Sequence, residues 1–483
     1  MIHLSKHPTI SEIHSLYRQK ESTPSEVYQY FYELSKVVDV SISAVYEYAN
    51  NLGKLQAEKC DDLLQTKTLD ELLTDYSLFG IPYFLKSNMM VMDEIMNAGT
   101  KALDQFVSPY SCTVYEKVRD AGAVLLGFTQ MDELASGASG EHSYYGVTKN
   151  PYDTTRVPGG SSSGSAATVG SGQCVFSLGS DTGGSIRQPS AFCNVVGIKP
   201  TYGLVSRRGV HAMASSFDQV GPITHSVIDN QTVLKVLSGK DPFDQTTVES
   251  SEVFNHNPIS RKLKIGIPDE FYIDGIDPKI LSALQKLQKD LESEGHELVK
   301  VSLPHSKYAI SVYYITMTVE FSANQERLDG VRFAQQVDGA MYYDHRGEFF
   351  GEEPVRRSML GSYVSSAGYY DAYYNKAQKV KELARREFEE AFKMVDVMLT
   401  PTTPEFPFKV GEKTSDPLKM YLSDVFTCGI NPLRIPGLNV PLGLFDVDGV
   451  KLPSGCQILG PELSESIIYQ LGIDIENIIT TGM

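Results

Sequence analysis

The sequence lacks tryptophan and has few cysteines. Its 483 residues contain no Trp and six Cys, which are Cys60, Cys112, Cys174, Cys193, Cys428 and Cys456. None of these cysteines has the C-x-x-C spacing of common metal sites, so we predict no metal site built on such pairs. Scattered single cysteines are typical of small buried side chains in a reducing compartment.

Long apolar runs are also missing. No segment approaches the roughly 18 consecutive apolar residues that a membrane-spanning helix needs. The N-terminal segment, MIHLSKHPTISE, lacks the apolar core of a secretory signal peptide. We therefore expect a cytoplasmic protein.

Positive charge is scarce as well. The formal net charge is −17, and no basic run is present. Because phosphate binding needs clustered Lys and Arg, this balance argues against the chain alone being a main nucleic-acid-binding surface. With 41% hydrophobic and 21% charged residues, the composition is that of an ordinary globular protein.

Glycine and hydroxyl side chains are concentrated in one stretch, Val157–Thr201. It contains two clusters, Gly159–Ser165 and Asp181–Ser185. Between them lies Cys174–Leu178, an apolar run of strand length. Two hydroxyl-rich turns on either side of a buried strand can bring hydroxyls and backbone N–H groups together at one site.

This stretch has three other interpretations. A flexible Gly/Ser linker would not carry an apolar strand through its middle. A nucleophile elbow of the form G-x-S-x-G is matched by Gly160, Ser162 and Gly164, but it must follow a strand directly, and residues 150–158 resemble a loop. Turn glycines in an ordinary core remain possible on composition alone.

Lys86 is the first candidate for a general base. It follows the apolar run Ile81–Leu85, whereas most lysines are exposed. Burial disfavours the charged amine and lowers its pKa, which a lysine base requires. His142, His211 and His225 are alternative bases, because a Ser-His arrangement is recognised by geometry and not by sequence order.

The stretch resembles the signature of the amidase signature family, enzymes that cleave carboxamides with a Ser–cis-Ser–Lys triad. The resemblance implies that Ser185 is the nucleophile and that Lys86 is the base. It implies that Ser161, 24 residues before Ser185, follows a cis peptide bond and relays the proton. The implied oxyanion hole consists of the backbone N–H groups of Thr182, Gly183, Gly184 and Ser185.

From about Leu78 to Gly460 the chain is most similar to one branch of that family, the glutamine-hydrolysing subunits of tRNA-dependent amidotransferases. The segments particular to this branch include Tyr313-Tyr314, Leu328–Arg332, Arg356–Tyr374 and Met420–Asp424. The resemblance implies a substrate site that contains Tyr313 and Tyr314. It also implies that Arg357, in preference to Arg356, binds the α-carboxylate of glutamine and that Asp424 binds the α-amino group.

The same branch implies how the protein works with others. It forms a heterotrimer with GatB-like and GatC-like subunits and supplies ammonia for the amidation of Glu-tRNA(Gln) or Asp-tRNA(Asn). The resemblance implies no cofactor in this chain, with ATP and Mg²⁺ used by the B subunit, and contact with mischarged tRNA mainly through that partner. The alternatives are a stand-alone amidase acting on another small carboxamide and a non-catalytic scaffold.

The resemblance is incomplete at four places. Ser87 and Ser163 stand where the family usually has aspartate and glycine. Gly140–His142 replaces the usual Thr-Glu-Asn, and residues 333–353 differ throughout. All three implied triad positions keep the family residues.

The pattern of predicted elements favours an α/β fold. Residues 1–75 are predicted to be helical, with Thr23–Glu26 forming a capping box. Strands are predicted at Leu263–Ile267 and Leu298–Val301, with a helix between them that begins after Asp277-Pro278.

A long helix at 369–393 and a strand at Val395–Leu399 follow. We expect a single domain over residues 1–483, built on a large, mixed, mostly parallel sheet with helices on both faces.

Overall fold

The computed structural model is built around one mixed β-sheet. The structure describes residues 4–254, 261–331, 341 and 344–481. Within these ranges the strands are β1 (Val45–Tyr48), β2 (Pro82–Lys86), β3 (Val124–Thr129), β4 (Phe176–Asp181), β5 (Val196–Lys199), β6 (Gln219–Thr224), β7 (Lys264–Pro268), β8 (Glu297–Val301), β9 (Val397–Pro401), β10 (Gly437–Val447) and β11 (Val450–Leu459).

All these strands join in the order β1-β3-β2-β4-β6-β5-β10-β11-β9-β7-β8. The predicted mixed α/β sheet is confirmed, but "mostly parallel" is wrong. Among the strand pairs of the described chain, four are parallel and six are antiparallel. One cause is the hairpin β10–β11, whose Asp448-Gly449 turn has two positive φ angles and can join only antiparallel strands.

Helices connect and cover these strands. The α-helices of the described ranges are α1 (Ile10–Gln19), α2 (Pro24–Ile42), α3 (Asn50–Thr66), α4 (Leu69–Asp75), α5 (Thr113–Asp120), α6 (Ser163–Gly170), α7 (Arg187–Phe192), α8 (Val227–Leu237), α9 (Ser251–Phe254), α10 (Pro278–Ser293), α11 (Ala309–Gln325), α12 (Asp344–Phe349), α13 (Glu352–Ser365), α14 (Lys376–Phe392), α15 (Pro417–Leu422) and α16 (Glu465–Thr481). Of the helices in the described ranges, none has the length and apolar character to span a membrane.

Local sequence signals predicted several of these elements correctly. At the start of α2, the Thr23 side chain accepts a hydrogen bond from the Glu26 amide, and the Glu26 carboxylate accepts one from the Thr23 amide. Pro24 occupies the first helical position, as predicted. The apolar face of α10 is buried, and β7 and β8 on either side of it pair in parallel.

Other boundaries differ from the prediction. The helical N-terminal part also contains β1, which pairs antiparallel with β3. The long helix predicted at 369–393 becomes α-helical only at Lys376, after a wider π-type turn at Asp371–Asn375. Arg332 and part of the 333–353 departure lie outside the described residues.

The interior is divided into a main core and smaller clusters. The main core contains the central strands, and every residue of β2, β3 and β4 is buried. A second buried cluster includes Met131, Tyr313 and Cys428. All six cysteines are buried and free, as the sequence predicted. The carboxyl ends of the parallel strands β2 and β4 meet beside this second cluster.

Candidate active site

Lys86 ends β2 and is completely buried. Its amine lies 2.9 Å from the Ser161 hydroxyl, 2.9 Å from the Ser162 hydroxyl and 3.0 Å from the Ser180 hydroxyl. Burial lowers the pKa of Lys86 to about 7, although nearby carboxylates favour its charged form. A substantial fraction of this amine is therefore neutral near pH 7 and able to accept a proton.

Ser161 lies in the turn that precedes α6. Its peptide bond with Gly160 is cis, as the resemblance implied. Asp132 donates its amide hydrogen to the Ser161 carbonyl at 3.2 Å, and the Gly160 amide donates to the Gln188 side chain at 2.9 Å. A side chain at Gly160 would overlap the Asp132 carboxylate, so this turn requires glycine there.

Ser185 lies in the turn between β4 and α7. The Ser162 amide donates to the Ser185 carbonyl at 3.2 Å, which ties the two serine turns together. Ser185 is 8% exposed, whereas Lys86 and Ser161 are both 0% exposed. Of the three, Ser185 is therefore the one that a substrate can reach.

The turn from Asp181 to Ser185 is organised by a buried carboxylate. Asp181 accepts hydrogen bonds from the amides of Gly184 at 2.8 Å and Ile186 at 3.1 Å. The Gly184 amide, one of the four amides predicted to form the oxyanion hole, is therefore already hydrogen-bonded within the turn. The amides of Thr182, Gly183 and Ser185 are the other three predicted donors.

Arg187 forms a buried ion pair with the Asp181 carboxylate. It is completely buried and donates to Asp181 Oδ1 at 2.9 Å, to Asn431 at 2.7 Å and to Gln457 at 2.6 Å. Burial opposes the charge of Asp181, but Arg187 outweighs it and holds the pKa well below its usual range. Arg187 was not among the predicted site residues, although it is one of only two basic residues in Val157–Thr201.

Tyr313 and Tyr314 approach from α11, and both are buried. Gly183 lies so close to the Tyr313 ring that any side chain at position 183 would overlap it. Tyr314 stacks on Tyr421 with ring centroids 3.9 Å apart. Tyr313 therefore lies against the candidate oxyanion turn, and Tyr314 lies in a neighbouring aromatic layer.

Arg357 points from α13 into the same region. Only 4% of it is exposed, and its guanidinium lies 5.6 Å from the Tyr314 ring centroid. Arg357 Nε donates to Glu353 Oε1 at 2.8 Å, and the Tyr421 hydroxyl donates to the same oxygen at 3.1 Å. Burial opposes the charge of Arg357, but Glu353 raises its pKa further above the usual value.

The neighbouring Arg356 also forms an ion pair with Glu353, but its side chain is 40% exposed. The buried position of Arg357 agrees with the prediction that Arg357, in preference to Arg356, binds the substrate carboxylate. Glu353 and Tyr421 were not singled out as site residues, because an acidic residue one turn before an arginine resembles any surface helix pair.

Asp424 lies just after α15 and is 8% exposed. One carboxylate oxygen, Oδ1, is buried without a hydrogen-bond partner. Burial raises the pKa of Asp424 well above its usual range, while Arg357 acts in the opposite direction. A cationic group bound here would both satisfy this oxygen and favour its charged form.

Thr427 connects Asp424 to the candidate oxyanion turn. Its hydroxyl donates to the Gly183 carbonyl at 3.0 Å, and its amide donates to the Asp424 carbonyl at 3.0 Å. Segments distant in sequence, including those that carry Tyr313 and Thr427, therefore meet at the turn that leads to Ser185.

The three candidate histidines are engaged elsewhere. His211 bonds to Gln325 at 3.0 Å, and burial lowers its pKa to about 4. His225 bonds to the Val169 carbonyl at 2.9 Å, and burial lowers its pKa to about 3. The His142 backbone bonds to Asp132 and Glu133. Among the contacts of the described residues, no histidine side chain bonds to Ser161 or Ser185, so this geometry favours Lys86 as the base.

Comparison with known proteins agrees with this geometry. A family model described as "Amidase" matches residues 26–468. The chain belongs to the amidase family. Two relatives are named as the A subunit of glutamyl-tRNA(Gln) amidotransferase. The one from Persephonella marina is 45% identical over 476 residues, which cover 96% of this chain and 95% of the relative. The one from Geobacillus thermodenitrificans is 44% identical over 472 residues, which cover 96% of this chain and 95% of the relative.

A solved structure has the same fold. The crystal structure of the A subunit of glutamyl-tRNA(Gln) amidotransferase from Thermotoga maritima superposes with a TM-score of 0.78 and is 35% identical. The match covers 97% of this amidase chain and 94% of that chain. The similarity therefore extends over nearly the whole length of both proteins.

Proposed function

We propose that this amidase hydrolyses glutamine and supplies the ammonia to a tRNA-dependent amidotransferase. The observation that carries the proposal is the buried pair Arg357 and Asp424. The two interact electrostatically, and Thr427 links Asp424 to the Ser185 turn. A free amino acid has a carboxylate and an ammonium group, and a selective site must bind both. The close relatives are named as A subunits of glutamyl-tRNA(Gln) amidotransferase, which supports a role in the same amidotransfer.

The reaction begins with proton transfer. Neutral Lys86 takes the Ser161 hydroxyl proton while Ser161 takes the Ser185 proton, and Ser185 Oγ attacks the side-chain carbonyl carbon of glutamine. The oxyanion is stabilised by backbone amides of the turn beside Gly183. The proton then returns through Ser161 to the leaving nitrogen, the C–N bond breaks, and ammonia departs. Water then attacks the acyl carbonyl carbon and gives a proton to Lys86 through Ser161. The bond to Ser185 breaks, the proton returns through Ser161 to Ser185, and glutamate is released.

Substrate recognition divides between the two charged residues. Arg357 has nitrogens besides the one bound to Glu353, and its planar fork suits the α-carboxylate. Asp424 offers its unpartnered oxygen to the α-ammonium. Tyr313 and Tyr314 form the apolar wall along which the side chain of glutamine reaches Ser185.

The chain is proposed to act within a complex. The relatives are named as A subunits of an amidotransferase, which supports partners similar to the GatB and GatC subunits. ATP and Mg²⁺ would be used by the B-type partner. The net charge of −17 supports tRNA being bound mainly by that partner.

The test is a glutaminase assay on the purified chain, alone and with B-type and C-type subunits from the same host. We expect ammonia release to increase when the partners are added, and Glu-tRNA(Gln) or Asp-tRNA(Asn) to be amidated when ATP is present. Butyramide, which lacks both charged groups, is the matched control substrate. If the chain hydrolyses butyramide faster than glutamine, and if the partners do not change its rate of ammonia release, it is a stand-alone amidase.

A further inference from the structure

We propose that Glu133 is a positioning residue, which holds the start of α13 so that Arg357 reaches the α-carboxylate of the substrate. This inference rests on the proposed glutamine function. Glu133 is not one of the catalytic, oxyanion-hole or substrate-binding residues described above, and it is 4% exposed. It lies on the loop after β3, 224 positions before Arg357 in the sequence.

Both oxygens of the Glu133 carboxylate are used. Oε1 accepts the Thr100 hydroxyl at 2.7 Å, and Oε2 accepts the Gly351 amide at 2.9 Å. Gly351 is the residue that precedes the first turn of α13. A carboxylate at this end of a helix satisfies an otherwise unpaired amide and is attracted by the helix dipole.

Gly351 is fitted to this contact. A side chain at position 351 would lie within 2.5 Å of Glu133 Oε2, so glycine allows this close approach without displacing the carboxylate. Arg357 follows six residues later, about 9 Å along the helix axis at 1.5 Å per residue. A shift or tilt at Gly351 is therefore transmitted to Arg357 through a short and rigid piece of helix.

The other side of Glu133 leads to the catalytic turn. Its neighbour Asp132 donates its amide to the Ser161 carbonyl at 3.2 Å and accepts the Gly140 amide at 3.0 Å. Two adjacent residues therefore connect the turn of the relay serine with the helix of the substrate arginine. This connection fixes the distance between the two ends of the bound glutamine.

The contact is expected to depend on pH. Burial raises the pKa of Glu133 to about 7, and the bonds from Thr100 and Gly351 oppose that shift. The carboxylate is ionised and holds Gly351 most strongly above this pH, and the hold weakens as the pH falls through about 7. Other ionisable groups nearby are His142, Tyr144, Glu352 and Glu353, which line the same cavity, and Lys101, which follows Thr100.

The decisive variant is Glu133→Gln, which keeps the shape and one acceptor oxygen but removes the charge and the second acceptor. We expect the KM for glutamine to rise about tenfold, because small errors in substrate positioning have large kinetic effects. We expect the wild-type KM to rise below pH 7, and this rise should be absent in the variant. Glu352→Gln is the matched control, since it removes the same charge from an exposed position on the same cavity, and its KM should change less than about twofold.

A second measurement separates positioning from a general loss of structure. The rate at which phenylmethanesulfonyl fluoride labels Ser185 reports the triad without using Arg357, and it should be the same in wild type and Glu133→Gln. Thr100→Val should raise the glutamine KM, and Thr100→Ser should restore it. Labelling that falls in parallel with glutamine turnover, or a KM that does not move, would overturn the proposal.

A third measurement does not need glutamine turnover. Hydrogen exchange of the amides at 351–357 should be faster in Glu133→Gln than in Glu352→Gln. If the wild type is labelled at Ser185 but does not hydrolyse glutamine, the proposed function fails. The hydrogen-exchange measurement would still test the contact between Glu133 and α13. Unchanged exchange at 351–357 would show that Glu133 does not hold the helix.

Discussion

The amine of Lys86 lies among hydroxyl groups where bulk solvent does not reach. With its pKa lowered to about 7 by burial, it is protonated below that pH and neutral above it. The proposed base is therefore lost on acidification, and kcat/KM should fall about tenfold per pH unit well below 7. A pH profile of glutamine hydrolysis measures this.

Two variants test whether that profile belongs to Lys86. Lys86→Arg should be inactive at every pH, because arginine stays charged. His142→Asn should keep the wild-type profile. An active Lys86→Arg enzyme, or a profile that disappears in His142→Asn, would show that the base has been misassigned.

Ser185 is the proposed nucleophile. Ser185→Ala should fold but lose glutaminase activity by about four to six orders of magnitude, as removal of a triad nucleophile does. The measurement is ammonia release per active chain, with circular dichroism to confirm folding. Ser163→Ala, which removes a hydroxyl from the start of α6, is the control. Near-full turnover by Ser185→Ala would end the assignment.

Arg357 and Asp424 should act on glutamine binding. Removing either charge-assisted hydrogen bond is expected to raise the glutamine KM about ten- to a hundred-fold. The variants are Arg357→Ala and Asp424→Asn, and Arg356→Ala is the control because its side chain is largely outside the site. If Arg356→Ala has the larger effect, the roles of the two arginines are reversed.

Individual site residues were predicted better than the elements or the strand order, because the amidase resemblance assigns a role to each position. It assigned roles to both Lys86 and Ser161, which lie within hydrogen-bonding distance of one another. It assigned none to Glu353 or Arg187. Their importance depends on which groups the fold brings beside them, and spacing along the chain does not contain that information.

Among the elements, the segment 424–427 after α15 contacts two different regions of the protein. Asp424 and Thr427 face the site, whereas Val425 and Phe426 line a separate cavity of about 280 Å³. Thr427→Val removes the hydroxyl that holds the Gly183 carbonyl, and we expect kcat to fall about tenfold. Thr427→Ser should retain activity, and steady-state kinetics on both variants make the comparison. Equal rates in the two variants would exclude this role for the hydroxyl.

Helices with strong local signals were easier to predict than strands. The capping box at Thr23 and the apolar face of α10 lie within one short segment each, so both could be identified directly. The hairpin β10–β11 was missed because its first strand follows a Pro- and Gly-rich loop. The excess of antiparallel pairs was missed for a different reason: the prediction of parallel pairing was based on a strand–helix–strand unit.

For the whole molecule, charge is the property that makes a testable prediction. With a net charge of −17, the isolated chain should not bind tRNA tightly, because phosphate contacts need clustered basic residues. Filter binding or anisotropy at low salt measures this, with the complete complex as the positive control. Tight binding by the chain alone that weakens steeply with added salt would contradict the prediction.

The α/β class and the mixed sheet followed from the sequence, but the order of the strands did not. That order depends on contacts between segments hundreds of residues apart, such as β5 with β10. Nothing in the local pattern of either strand specifies the other. The single-domain assignment over residues 1–483 remains a prediction.

The position of the β10–β11 hairpin has a consequence for biosynthesis. It lies between β5 and β9 in the sheet, so it joins the half that carries Lys86 to the half that carries β7–β9. A ribosome makes both halves before it makes residues 437–459. Until those residues emerge, Arg187 lacks its Gln457 partner and the two halves of the sheet remain separate. The nascent chain therefore gains a complete amidase site only after residues 437–459 have been synthesised, long after its signature stretch.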